Sequence, residues 1–155
     1  PIGSPRPDRI DVFLGDGDDK IVTSDSAVAT VSGGPGADEL HAHTAHTVWG
    51  DAGDDMVMGR AALYGGDGMD HLMGDDSGQR LWGGRGDDMI DAYGGDDIVY
   101  AGLGDDHAMG GDGRDIVLGG PGDDTLDGES GDDLVGGGPG NDTVEGGPGR
   151  DIVFQ

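Results

Sequence analysis

Aspartate is the residue type that could do chemistry in this chain, and it recurs at a fixed interval. The stretch "GGPGDDTLDGESGDDLVGGGPGNDTVEGGPGRDIVF", residues 119–154, is one nine-letter phrase written four times, with Asp as its sixth letter. Carboxylates so spaced and so numerous point to the binding of metal ions. Catalysis has no comparable support. There is no Cys, no Ser or Thr is paired to a His by a recognisable motif, and the carboxylates have a ligand spacing rather than that of an acid–base pair. The chain is expected to be non-catalytic.

The totals agree. Asp and Glu number 33 against 8 Lys and Arg, giving a formal net charge of -25 over 155 residues. Gly 36 and Pro 7 make more than a quarter of the chain flexible or helix-breaking, and hydrophobic residues are only 33%. So few apolar side chains cannot offset backbone ordering at roughly 1–2 kcal/mol per residue while acidic groups repel one another. Something cationic must therefore enter the folded state. The sign of the charge argues against nucleic acid and anionic membrane as partners, since both need basic patches. No apolar run approaches the ~18 residues of a membrane span. Without cysteine there is no disulfide framework and no thiolate site.

The elements that position the aspartates follow from the period. A nine-residue register begins at Gly65, Gly74, Gly83, Ala92, Ala101, Gly110, Gly119, Gly128, Gly137 and Gly146, with earlier copies at 14–22, 33–41 and 50–58. The best blocks read G-G-x-G-x-D-x-hydrophobic-x, as in "GGDGMDHLM" and "GGDGRDIVL". Glycines in the first six positions permit tight bending, and the last three positions are β-prone. Each block is thus a turn followed by a three-residue strand. Alternation points position eight inward: Ile21, Leu40, Val57, Leu72, Leu81, Ile90, Val99, Val117, Leu126, Val135, Val144 and Val153. Three intervals, "TSDSAVATVS", "AHTAHTVW" and "GRAALY", lack the glycine–aspartate turn.

These blocks resemble the glycine-rich nonapeptide repeats of the RTX family over about residues 14–154. The resemblance implies an all-β fold, a right-handed parallel β-roll with two blocks per coil and calcium between stacked turns. It implies that the ligands are the position-six aspartates together with turn carbonyls. Hard oxygen donors in number suit Ca²⁺, whereas Zn²⁺ would call for Cys or clustered His. The carbonyl ligands it implies are those of Gly33, Pro35, Gly50, Ala52, Gly65, Asp67, Gly83, Arg85, Ala101, Leu103, Gly110, Asp112, Gly119, Pro121, Gly128, Ser130, Gly137 and Pro139.

Two blocks per coil sort the turns onto two edges. One edge carries Asp19, Asp38, Asp55, Asp70, Asp88, Asp106, Asp124 and Asp142. The other carries only Asp97, Asp115, Asp133 and Asp151, because the intervals replace its first turns and Gln79 stands where the next Asp belongs. The chain therefore divides into an entry segment and first strand (1–13), a half with one full calcium edge (14–82) and a regular two-edged half (83–155). Ions between neighbouring turns would number roughly ten, and their charge would nearly cancel the -25.

The strands leave two outer faces. One column gathers Phe13, Trp49, Tyr64, Trp82, Tyr100, Leu118 and Phe154, flanked by Ile98, Ile116, Leu134 and Ile152. At about 4.8 Å per rung it spans on the order of 40 Å, enough to mark an interface with the N-terminal segment, a parent chain, a protein partner or a glycan. The opposite face has Met56, Met58, Met73, Met89 and Met109 with His41, His71 and His107. Adaptable packing is favoured there over a copper site. "HAHTAH", with His43 and His46 beside His41, reads as a solvated turn rather than a zinc chelate. An EF-hand lacks its final Glu and its helices, a dinucleotide loop lacks its helix, and an ice-binding row is contradicted by the irregular third positions.

The expected protein is a calcium-binding module of a secreted chain that folds on meeting extracellular Ca²⁺. The alternatives are an adhesive or carbohydrate- or protein-binding module using the aromatic stripe, and the accessory domain of a secreted enzyme. The start has neither Met nor a signal-peptide core, so the chain is expected to be a mature or excised segment. Self-association at the terminal rung, where "DIVFQ" ends on an uncovered strand, is a further expectation.

Overall fold

The computed structural model describes residues 10–23, 28–60 and 62–155. The N-terminal entry residues 1–9 and part of the first interval lie outside the described residues. Strands β1 (Ile10–Phe13), β3 (Val28–Pro35), β5 (Thr47–Ala52), β7 (Ala62–Asp67), β9 (Arg80–Arg85), β11 (Ile98–Leu103), β13 (Ile116–Leu118), β15 (Leu134–Gly136) and β17 (Ile152–Phe154) form one sheet in that order. Strands β2 (Lys20–Thr23), β4 (Glu39–Ala42), β6 (Met56–Gly59), β8 (His71–Asp75), β10 (Met89–Tyr93), β12 (His107–Asp112), β14 (Thr125–Ser130) and β16 (Thr143–Glu145) form the second. Every pairing is parallel. The chain thus alternates sheets at each block and completes a coil every two blocks, an all-β parallel β-roll.

The core lies between the sheets as two facing rows. Val31, Val48, Leu63, Leu81, Val99, Val117 and Val135 stack in register on one side. Leu40, Val57, Leu72, Ile90, Ala108 and Leu126 stack on the other. All are essentially inaccessible to solvent. Stacking like on like at each rung removes these side chains from water although each coil contributes only two of them.

Three expectations are corrected. The intervals lack the turn signature but keep the inward aliphatic, so Val31, Val48 and Leu63 join the core. Most strands are longer than three residues, because the first residues of the following turn also pair across coils, as at Gly66↔Gly84, whereas β13, β15, β16 and β17 keep three. Val153 does not point into a closed core. It is 45% exposed on the terminal rung of the described stack, where a neighbour covers one side only, and Ile21 and Val144 are only partly buried for the same reason.

The second position of the turn adopts positive φ, usually with glycine, as at Gly120 (φ 124°). Tyr93 (φ 71°), Asp51 (φ 83°) and Glu129 (φ 63°) hold the same conformation with a Cβ. A left-handed backbone costs a side-chain-bearing residue about 1 kcal/mol or more. Tyr93→Gly should therefore stabilise the roll by up to about 1 kcal/mol, seen as a higher urea midpoint at constant ionic composition. An unchanged or lower midpoint would show that the exposed Tyr93 ring repays its backbone strain.

Candidate metal centre

The turns stack backbone on backbone. A Cβ added to Gly34 would lie 2.1 Å from the Gly15 carbonyl oxygen, and one added to Gly36 would lie 2.3 Å from that of Gly17. Only glycine permits this approach. The stacked turns bring the position-six side chains, roughly one coil apart in sequence, into vertical register.

Each of these carboxylates does one thing with its first oxygen. Asp19 N–H donates to Asp38 Oδ1 at 2.8 Å, Asp38 N–H to Asp55 Oδ1 at 2.8 Å, and Asp55 N–H to Asp70 Oδ1 at 2.9 Å. The same bond continues through Asp88, Asp106, Asp124 and Asp142. On the other edge the ladder starts at Gln79, whose N–H donates to Asp97 Oδ1, and continues through Asp115, Asp133 and Asp151. Among the described residues the ladder on the first edge begins at the Asp19 N–H.

The second oxygen is left over. Oδ2 of Asp38, Asp55, Asp70, Asp88, Asp97, Asp106, Asp115, Asp124, Asp133 and Asp142 is buried without a hydrogen-bond partner. These oxygens face inward against the first residue of their own turn and the first carbonyl of the next. The position a Cβ would take on Gly65 lies 2.3 Å from Asp70 Oδ2 and 2.6 Å from the Gly83 oxygen, and the corresponding distances at Gly119 are 2.2 Å to Asp124 Oδ2 and 2.7 Å to the Gly137 oxygen. A buried unpaired carboxylate oxygen is costly, and ten of them, in two columns, need a compensating positive charge. The cavity's donor set is all oxygen.

Among the described residues no three His, Cys, Asp or Glu side chains cluster as a metal site. An ion in these turns would accordingly draw much of its shell from backbone carbonyls. Those at position three already accept one bond across coils, as Pro35 does from Gly17 N–H (2.7 Å) and Pro121 from Gly104 N–H (3.1 Å), which leaves each a second lone pair. His41 and His43 meet edge to face at 6.4 Å between ring centres, outside any such cluster.

The electrostatics express the same strain. Burial, opposed by the N–H bond each accepts, pushes Asp55, Asp88 and Asp97 up to about 7 and Asp70, Asp106 and Asp115 up to about 6. Burial raises Asp38, Asp124 and Asp133 in the same direction.

A second ladder is not apparent from the repeat signature. Position-five aspartates run it in the opposite sense: Asp18 Oδ1 accepts from Ala37 N–H, Asp87 Oδ1 from Asp105 N–H, and Asp105 Oδ1 from Asp123 N–H. Asp54, Asp96, Asp123 and Asp132 do likewise. The Asp–Asp doublets carry this signal. The inner member faces the cavity and the outer member caps the next turn from solvent.

Edge composition also emerges from register. On the degenerate edge the position-six places of the early coils fall to Ala29 and His46, with Ala62 N–H bonding to the His46 carbonyl as Ile98 N–H bonds to that of Gln79. Neither Ala29 nor His46 supplies a carboxylate, and Ala42 and Ala45 are buried nearby.

On the outer face, Trp49, Tyr64, Trp82 and Tyr100 form a continuous stack with centroid separations of 3.8, 4.5 and 6.0 Å. Phe13 and Phe154 share the column but are separated from it by Ser32 on one side and by Gly136 and Leu118 on the other.

Stacked glycine turns with inward, unpartnered carboxylate oxygens define a cation-binding parallel β-roll. A family model for the RTX calcium-binding nonapeptide repeat (4 copies) matches residues 47–61, 73–108, 100–135, 109–144 and 135–154, more than half of the chain. The chain belongs to this family, whose repeats bind calcium. No curated protein matches it.

The pH dependence has a definite sign. Carboxyls raised in the folded state stabilise the ion-free roll fully below their unfolded value near 4, and that contribution is lost as pH rises through about 6–7. In chelator, β-structure by circular dichroism should therefore decline between pH 4 and 8. With calcium the trend should reverse, because ions and protons compete for the same oxygens.

Proposed function

We propose that this chain is a calcium-binding module of a secreted protein, unfolded in submicromolar calcium and folded on meeting the extracellular ion. The observation that carries this reading is the set of ten buried Oδ2 atoms without partners. Calcium, when bound, supplies concentrated positive charge to hard oxygen donors. The chain's part is to hold those oxygens in vertical register through the N–H to Oδ1 ladder and to keep water from the turn interior.

The proposed ligands are Asp19, Asp38, Asp55, Asp70, Asp88, Asp106, Asp124 and Asp142 on one edge and Asp97, Asp115, Asp133 and Asp151 on the other, with position-one and position-three carbonyls. Sites between successive turns give roughly ten ions, whose charge nearly balances the net -25. The module is read as structural rather than catalytic, because its carboxylates are committed to ladders and cavities. Among the described residues no helix is long and apolar enough to cross a membrane.

Far-UV circular dichroism during titration with CaCl₂, with MgCl₂ as control, tests the reading. A cooperative coil-to-β transition with calcium alone is expected. Asp106→Asn should weaken it by removing one inward charge while leaving the shape of the turn. β-structure indifferent to calcium and chelator would refute metal-driven folding.

The exposed aromatic column favours a second reading, docking of a partner. Phe13 is 74% exposed and Phe154 47%, while Trp49 and Tyr100 present 40% each. Sugar stacking is the less suited form of it, because Trp49 and Trp82 cover both faces of Tyr64 and a sugar needs an open ring face. Replacing Trp49, Trp82 and Tyr100 with Ser should preserve the calcium transition while lowering the thermal midpoint. Loss of the calcium transition itself would place these rings in the folding core instead.

A further inference from the structure

Among the described turns that keep the glycine-rich signature, the one at residues 74–79 differs in how its interior is filled. At residues 74–79, "GDDSGQ", Gln79 takes the position-six place and is 4% exposed. Its Oε1 stands where the aspartate Oδ2 stands elsewhere. The position of a Cβ on Gly74 lies 2.1 Å from Gln79 Oε1 and 2.6 Å from the Ala92 oxygen, matching the pair of oxygens found at Gly65 and Gly119.

Unlike those aspartate oxygens, this one is partnered. Asp75 N–H donates to Gln79 Oε1 at 3.1 Å. Gln79 Nε2 donates to the Gly59 carbonyl at 2.9 Å and to Asp75 Oδ1 at 3.1 Å. Asp75 is in turn held by Ser77, through both its N–H and its hydroxyl, and by Arg60 Nε at 2.7 Å. The turn therefore contains its own donors and receives a cation from the preceding coil, and no polar side-chain atom of Gln79 or Asp75 is among the buried unpartnered set.

We propose that the Arg60–Asp75–Ser77–Gln79 network is a protein-made substitute for a metal ion, which closes the degenerate edge at this turn and sets Asp97 as the first carboxylate of that edge's calcium column. The inference rests on the calcium reading above. Its physical basis is that a carboxamide supplies both an acceptor and two donors, so it satisfies a neighbouring carbonyl without bringing a negative charge that an ion must neutralise. The Arg60 guanidinium neutralises Asp75, the carboxylate that bonds the Gln79 amide, while Asp76 of the same turn is exposed. The position is consequential, because the coils before it place Ala29 and His46 on this edge and the coils after it place only aspartates.

Native mass spectrometry of the whole chain at saturating calcium, with Gln79→Asp and Gln79→Ala variants, tests the assignment. Gln79→Asp should bind one more ion than the parent. Gln79→Ala should bind the same number with a lower thermal midpoint, because the Gly59 carbonyl and Asp75 lose their donors. An unchanged count in a folded Gln79→Asp overturns the proposal. So does loss of one ion in Gln79→Ala, which would make Oε1 a ligand; this arm decides the matter if Gln79→Asp does not fold. A parent chain that binds no calcium would instead defeat the calcium reading itself, an outcome distinct from either variant result.

Discussion

The structure depends on one constraint: carboxylates must be buried in columns, each with one oxygen bonded to the protein and the other not. The N–H to Oδ1 ladder aligns the turns, and alignment is what isolates Oδ2 from water. In other globular folds such an arrangement would be excluded, because unpaired buried carboxylate oxygens cost more than a thin aliphatic core can offset. Under the proposed reading that cost is coupled to an external ion, and calcium concentration would then serve as the folding signal.

The hydrophobic rows and the aspartate columns divide the work. The rows are two side chains per coil, sufficient to fix which face of each strand points inward and hence the register of the sheets. They do not fix the turns. Glycines pack so closely there that the backbone of one coil rests on the next, as at Gly34 over Gly15, and the aspartate ladder together with N–H to carbonyl bonds such as Gly17 to Pro35 binds that contact into a column. The outer position-five ladder braces the same turns from the solvent side and runs in the opposite direction, so neighbouring turns are tied twice.

The two edges show two solutions to the same geometric problem. One keeps aspartate at every turn. The other has a shortened turn that buries Ala42 and Ala45, passes through an amide-and-guanidinium turn at 74–79, and ends in an aspartate column. The aromatic stack crosses the same junction on the neighbouring face, from Trp49 in the coil with the short turn to Tyr100 beyond it. Side-chain stacking thus bridges the part of the roll where inward carboxylates are fewest.

Much of this was legible from residue types at fixed spacing. The nine-residue period set the two sheets, the inward aliphatics from Leu40 to Val135, the sorting of aspartates onto two edges and the gathering of Trp49, Tyr64, Trp82 and Tyr100 into one column, because period and strand alternation together determine which residues share a face. The bonding inside the turns was not legible. Which oxygen of Asp70 accepts and which stays unpartnered, the reversed ladder of the outer aspartates, the closure of the Gln79 amide on Gly59, the mating of ring faces and the exposure of Val153 depend on contacts between residues a whole coil apart. Those contacts are governed by the lateral offset of one turn over another and by whether another coil lies above. Spacing along the chain determines the stack, and only the stack determines what each polar atom meets.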